Sequence, residues 1–184
     1  KGKAVKEVKM KRAGKDLWTA CVKGNLAGKF YTFDIGNGET PGVFAKAVGV
    51  NGNRGAIINL RSTDPDGWQN DQRPALNSAA NQVIYEMHVR DFTHAAPGIS
   101  YPDKFLGVGE SASVDYLKRL GVTAVHLLPV FDFASVDETK LTNPSYNWGY
   151  DPVQYNVPEG SFSSDPHDPY SRIFELQDAI AAYH

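Results

Sequence analysis

Two apolar runs flank a single helical repeat between Val83 and Phe131, and few chain paths satisfy that order. The first run, Val83 to Thr93, is β-rich, and the second, Val122 to Phe131, is nearly continuous in apolar residues, as a strand covered on both faces should be. Between them Val114, Leu117 and Leu120 recur on one helical face. Ser111 or Ser113 can cap that helix, and Gly121 stands where a left-handed residue ends one. Strand, helix, strand predicts a right-handed parallel crossover. A long loop follows, from about Asp132 to His167, rich in Trp, Tyr, Asn and Pro, which is the character of a functional loop. Asp168 then predicts the cap of a second helix with Pro169 at its first position and Ile173, Leu176 and Ile180 on one face.

Upstream the pattern is different. Residues 1 to 61 read as short strands, Val5 to Met10, Trp18 to Lys23, Phe30 to Ile35, Phe44 to Val50 and Gly55 to Leu60, separated by Gly- and Asn-containing turns. Their spacing suggests a β-sandwich, and so few strands imply one without its first members. Residues 62 to 81, with Asp64-Pro65-Asp66-Gly67-Trp68, lose apolar periodicity and read as a linker pinned by Trp68. The chain starts at Lys1 and stops inside a helical pattern at His184, so the reading is of a multidomain fragment cut at both ends.

Charge and composition exclude several classes. With 19 basic and 21 acidic residues the formal net charge is −2, so the chain has no global attraction for nucleic acid. No apolar run is long enough for a bilayer span, so no membrane partner is expected. A single cysteine, Cys21, removes disulfide frameworks and cysteine-rich zinc sites. His88, His94, His126, His167 and His184 show no metal-ligand spacing, and no transition metal is expected. Calcium needs only oxygen, which Asp132, Asp137, Glu138, Asp165 and Asp168 offer, but nothing in their spacing specifies a site. There is no nucleophile elbow, phosphate-cradling loop or dinucleotide fingerprint.

Two constellations remain. Glu86, His88 and Arg90 alternate with Tyr85, Met87 and Val89, which puts three ionisable groups on one strand face, either solvated or, as the parallel topology favours, inside a polar barrel. In the long loop, Tyr146-Asn147-Trp148-Gly149-Tyr150-Asp151-Pro152 combines rings with amide and carboxylate groups. A sugar suits that mixture, because its C–H faces stack on rings while its hydroxyls need polar partners; packing of the loop on its own scaffold is the competing reading. Trp18 is read as core in preference to a sugar platform.

Four stretches, Val83 to Phe92 (VIYEMHVRDF), His126 to Phe133 (HLLPVFDF), Tyr146 to Pro152 (YNWGYDP) and Tyr155 to Ser161 (YNVPEGS), resemble in order and spacing the type I pullulanases. These are bacterial starch-debranching enzymes of glycoside hydrolase family 13. Lys46 to Gly52 and Ser62 to Trp68 are similar to the end of that family's sandwich domain, which resembles carbohydrate-binding module family 48. The resemblance implies a partial sandwich over residues 1–61, a linker over 62–81 and, over 82–184, the first βαβα part of a (β/α)8 TIM barrel. Gln82 to His184 is less than half of the roughly 250 residues such a barrel needs.

The implied activity of the parent is hydrolysis of α-1,6-glucosidic bonds in pullulan, starch or glycogen by a retaining mechanism, without a cofactor. Its partner is an α-glucan poly- or oligosaccharide. The family's nucleophile, acid/base and third carboxylate follow later strands, so no catalytic residue is assigned here and the chain alone is expected to be inactive. By matching residues, Tyr150 is the family tyrosine that stacks under the sugar at the −1 subsite, and Asp151 is its neighbour, a scaffold partner for a later arginine. Trp148 and Asn147 shape the same loop. The alternative is a non-catalytic α-glucan-binding module with a truncated tail, for which the β/α segment has no use. Localisation stays open, since any export signal of the bacterial parent would precede Lys1.

Overall fold

The computed structural model describes residues 4–76, 78–142 and 145–184. Lys1 to Lys3 of the expected sandwich, Asn77 of the expected linker and Asn143 and Pro144 of the long loop lie outside the described residues. The parallel crossover is present. Strand β7 (Ile84–Met87) pairs in parallel with β8 (Ala124–Leu127), in the register Ile84 to Ala124 and Met87 to Leu127. Between them run helices α1 (Val89–Thr93), α2 (Phe105–Gly109) and α3 (Ser111–Arg119). Helix α4 (Ser171–Tyr183) ends the chain.

The end of α3 follows from its residues. Gly121 takes φ 75°, which lets its N–H reach the Lys118 carbonyl while the Val122 N–H reaches that of Leu117, the two bonds of a Schellman motif. The start of α3 differs from expectation. Glu110 is the N-cap residue with no side-chain cap bond; its carboxylate is taken by the Ser100 and Tyr101 N–H groups, and Ser113 donates to the Gly107 carbonyl instead. Asp168 does bond the next helix start, accepting from the Tyr170 N–H and the Ser171 hydroxyl. That turn absorbs Pro169 and Tyr170, so α4 begins at Ser171.

The main core lies between the parallel pair and the helices, where Met87, Val89, Phe105, Val108, Leu117, Phe133 and Phe162 are buried and Tyr85, Val125 and Leu127 pack against them. Alternation sends Ile84, Glu86 and His126 to the other face, which is open: Ile84 is 61% exposed, and Glu86 and His126 meet there at 3.2 Å. His88 and Arg90 do not join Glu86 on that face. The strand stops at Met87 because the His88 ring accepts the Asp91 N–H and starts a helix.

The second apolar run also ends early, at Leu127. Pro129 has no N–H to continue the ladder, and Phe131 belongs to β9 (Phe131–Phe133), which pairs antiparallel with β10 (Pro152–Pro158) through two register shifts. The expected long loop is therefore partly a strand that returns alongside its own start.

The upstream strands are shorter than expected. They are the two-residue pieces β1 (Lys11–Arg12), β2 (Trp18–Thr19), β3 (Phe30–Tyr31), β4 (Phe33–Asp34), β5 (Glu39–Thr40) and β6 (Gly55–Ala56), paired β1 with β2, β3 with β6 and β4 with β5. No strand forms over Val5 to Met10, and Phe44 to Val50 supplies only a bridge from Val48 to Gly55. Trp18 is 56% exposed, not core. The buried residues of this region pack on the C-terminal half: Ala45 and Val48 on Val157 of β10, and Ala47 and Ala56 on Ile173 of α4. Residues 62–81 are tied down as well. Buried Thr63 and Asp64 both bond Gln177 of α4, and Asp71 meets His184 at 2.6 Å. Trp68 is half-buried.

Candidate functional site

The aromatic loop joins β9 to β10, downstream of the C-terminal end of β8, and is built around Gly149. That residue takes φ 90°, and a Cβ there would stand 2.9 Å from Pro129 Cβ and 3.0 Å from Phe133 Cδ1, so the loop backbone packs closely on Pro129, just past β8, and on Phe133 of β9. Asn147 organises the turn. Its Oδ1 accepts the Gly149 N–H at 2.8 Å and its Nδ2 donates to Asp151 Oδ1 at 2.7 Å. Asp151 also takes the Ser135 hydroxyl, and its carbonyl takes the Ala134 N–H. The Ser135 bond is the main reason its carboxyl titrates below the ordinary aspartate range.

A second chain of bonds holds the other rings. Trp148 Nε1 donates to the Tyr146 hydroxyl at 2.7 Å, which donates in turn to Asp91 at 2.7 Å. That bond to a carboxylate raises the Tyr146 pKa. His88 joins both systems: Nε2 lies 2.9 Å from the Asn147 carbonyl and Nδ1 3.3 Å from the Asp91 nitrogen. Its ring is buried between Tyr146 and Phe162, at centroid distances of 5.7 and 5.4 Å.

Of the four residues singled out from the sequence, Asn147 and Asp151 bond each other directly, and Trp148 is held through Tyr146. Tyr150 is different. Its ring is 68% exposed, on a backbone fixed on both sides. A cavity of about 80 Å3 lies behind the loop, bounded by His88, Arg90, Lys104, Phe133, Asn147 and Phe162. Lys104 there donates to the Ser161 carbonyl, and burial lowers its pKa.

Glu159 and Arg172, which sequence reasoning did not single out, complete a buried cluster with Asp132 and Glu138. All four side chains are buried, Arg172 and Glu159 completely. Arg172 donates to Asp132 Oδ1 at 3.2 Å and to Glu138 Oε2 at 3.0 Å, and also to the Pro158 and Pro166 carbonyls. Glu138 further accepts the N–H groups of Asn51 and Gly160, and Asn51 Oδ1 accepts the Glu138 N–H, which ties the upstream region to this cluster. Glu159 accepts from the Phe133 and Ser161 N–H groups.

Three carboxylates against one guanidinium leave a buried excess of negative charge, and burial, reinforced by Glu138 and Glu159, pushes Asp132 up to about 8. Burial also raises Glu159 to about 7, although its two backbone donors favour the carboxylate. Asp132 Oδ2 has no hydrogen-bond partner, which makes Asp132 the better seat for a proton. Of the oxygen ligands considered for calcium, Asp132 and Glu138 come together with Glu159, one carboxylate oxygen of each lying within 4.8 Å of the others, with Arg172 paired to Asp132 and Glu138, while Asp165 and Asp168 bond the backbone of their own turn.

The chain aligns over 99% of its length with the pullulanase of Bacillus subtilis (strain 168), with 39% identity over 196 residues. It is homologous to pullulanases. The chain spans only 27% of that relative, and a second match, the chloroplastic pullulanase 1 of Arabidopsis thaliana, is 33% identical over 76% of the chain and 18% of its own length. Among solved structures, a pullulanase from Paenibacillus barengoltzii in complex with maltohexaose and α-cyclodextrin superposes at a TM-score of 0.94. Its sequence identity is 48%, and the match covers the whole chain and 31% of that structure. Pullulanase from Bacillus acidopullulyticus superposes at 0.90 with 38% identity, over 99% of the chain and 24% of that structure. No family model matches. Among the described residues no helix is long and apolar enough to cross a membrane.

Proposed function

We propose that the chain is part of a starch-debranching glycoside hydrolase that cuts α-1,6-glucosidic bonds in pullulan, starch or glycogen with retention, and that its own share of that work is to bind α-glucan. On this reading residues 1–61 belong to a sandwich domain, 62–81 connect it, and 82–184 open a (β/α)8 barrel whose later strands carry the reacting carboxylates. The observation that carries it is Tyr150: a ring open to solvent on the loop between β9 and β10 that follows the C-terminal end of β8 in the chain, the end at which barrel enzymes gather their sites, on a backbone locked by Asn147 and Asp151. Tyr150 would stack under the sugar beside the scissile bond. Trp148 adds a second exposed ring, and Asn147 and Asp151 hold the shape. The complexes of the Paenibacillus relative with maltohexaose and α-cyclodextrin support α-glucan as the ligand class.

The chain holds no catalytic pair on this reading. A retaining mechanism needs two carboxyls about 5 Å apart across the scissile bond, whereas Asp132, Glu138 and Glu159 are buried beside Arg172. The test is a titration of the 184-residue chain with maltohexaose, followed by NMR shifts of the Tyr150 and Trp148 rings, beside a reducing-sugar assay on pullulan. Selective shifts at those rings, with an affinity in the millimolar range of about 4 kcal/mol and no sugar release, are expected. Absence of any shift there, or hydrolysis that follows the protein through repurification, would overturn the reading.

A further inference from the structure

The two ring nitrogens of His88 bond backbone groups whose hydrogen-bonding roles are not adjustable, and the Asp91 carboxylate stands beyond hydrogen-bond distance, its Oδ1 3.7 Å from Nδ1. The Asp91 backbone N–H can only donate, so Nδ1, at 3.3 Å, must present its lone pair. The Asn147 carbonyl can only accept, so Nε2, at 2.9 Å, must carry the hydrogen. One neutral tautomer satisfies both bonds, and the ring that holds it is 6% exposed.

Each bond leads to one arm of the aromatic loop. Through Nδ1, His88 caps α1 and sets Asp91, which receives the Tyr146 hydroxyl, which receives Trp148 Nε1. Through Nε2 it holds the Asn147 backbone, whose side chain fixes Gly149 and Asp151 on either side of Tyr150. We propose that His88 is a positioning residue for the sugar-facing loop, acting as the Nε2–H imidazole that joins the end of the first parallel strand to both Trp148 and Tyr150. His88 touches no substrate in this role. The proposal rests on the α-glucan reading only for what the loop is for; the positioning itself stands on the two bonds.

Two substitutions separate the two nitrogens. In His88→Asn the side-chain oxygen replaces Nδ1 as the helix cap but cannot reach Asn147; in His88→Gln the amide nitrogen replaces Nε2 as donor but leaves Asp91 uncapped. Long-range 15N NMR of the 184-residue chain should show the Nε2–H tautomer of His88. Amide hydrogen exchange should then split: Gly149 loses protection by roughly tenfold in His88→Asn and keeps it in His88→Gln, while Asp91 does the reverse. Maltohexaose affinity should fall by roughly three- to tenfold in His88→Asn and stay within about twofold in His88→Gln.

An Nδ1–H tautomer, or equal protection at Gly149 in the two variants, overturns the positioning role. Because the comparison is between two variants, a general loss of stability lowers both and cannot imitate the split. If the exchange pattern splits as described while the native chain binds no maltohexaose, the positioning role is upheld and the α-glucan reading alone fails.

Discussion

Replacing Asp132 by Asn tests whether the buried cluster is held together by a proton. Asp132 has an ordinary pKa of 3.8 and stands at about 8 in the fold. Its neutral form is therefore the one the fold favours: the stabilisation is complete below pH 3.8 and is lost progressively as the pH rises toward 8. The slope for one such group is about 1.4 kcal/mol per pH unit, so between pH 5 and 7 Asp132 should remove about 3 kcal/mol from the stability of the native chain. That is a large share of the 5 to 15 kcal/mol typical of a domain.

Asp132→Asn copies the protonated side chain in shape. Its Oδ1 keeps the 3.2 Å bond to Arg172, and its amide stands where the unpartnered Oδ2 crowds Gly52. The variant should match the native chain only below about pH 3.8, lead it by about 1.7 kcal/mol at pH 5, and gain about 1.4 kcal/mol more per unit until the pH nears 8. The interval from pH 5 to 6 is the cleanest, because it lies below both folded values, about 7 for Glu159 and about 8 for Asp132, so both carboxyls keep their protons across it. Urea unfolding at pH 5, 6, 7 and 8, followed by far-ultraviolet circular dichroism, measures the difference. Parallel stability profiles for the two chains, or a native chain that grows more stable from pH 5 to 7, would refute the protonated cluster.

Tyr150→Ala removes the exposed ring without touching the bonds of Asn147 and Asp151, and should weaken maltohexaose binding by roughly five- to tenfold in an NMR titration. Tyr150→Phe should stay within about twofold, because stacking uses the ring and not the hydroxyl. Arg172→Met leaves Asp132 and Glu138 buried without their cation and should cost about 3–5 kcal/mol in urea unfolding at pH 7. A cost below about 1 kcal/mol would show that protons alone neutralise the cluster.

The parallel crossover was legible before any coordinates because each of its signals is local: the apolar face of Val114, Leu117 and Leu120, and Gly121 placed to end the helix. The loop from Tyr146 to Asp151 was legible for a related reason, since Asn147, Gly149 and Asp151 bond within five residues of chain. Periodicity failed where one residue chose a long-range or capping partner over the pattern. His88 reads as the next strand position but caps a helix, and Pro129 ends a run that looks continuous. The upstream strands are shorter than their pattern suggests, and Ala45, Ala47, Val48 and Ala56 are buried in small clusters completed by Val157 of β10 and Ile173 of α4. The cluster of Asp132, Glu138, Glu159 and Arg172 belonged to the tertiary structure entirely. Its members are spread over forty residues of chain, and an ionisable side chain gives no local sign that folding will take it out of water.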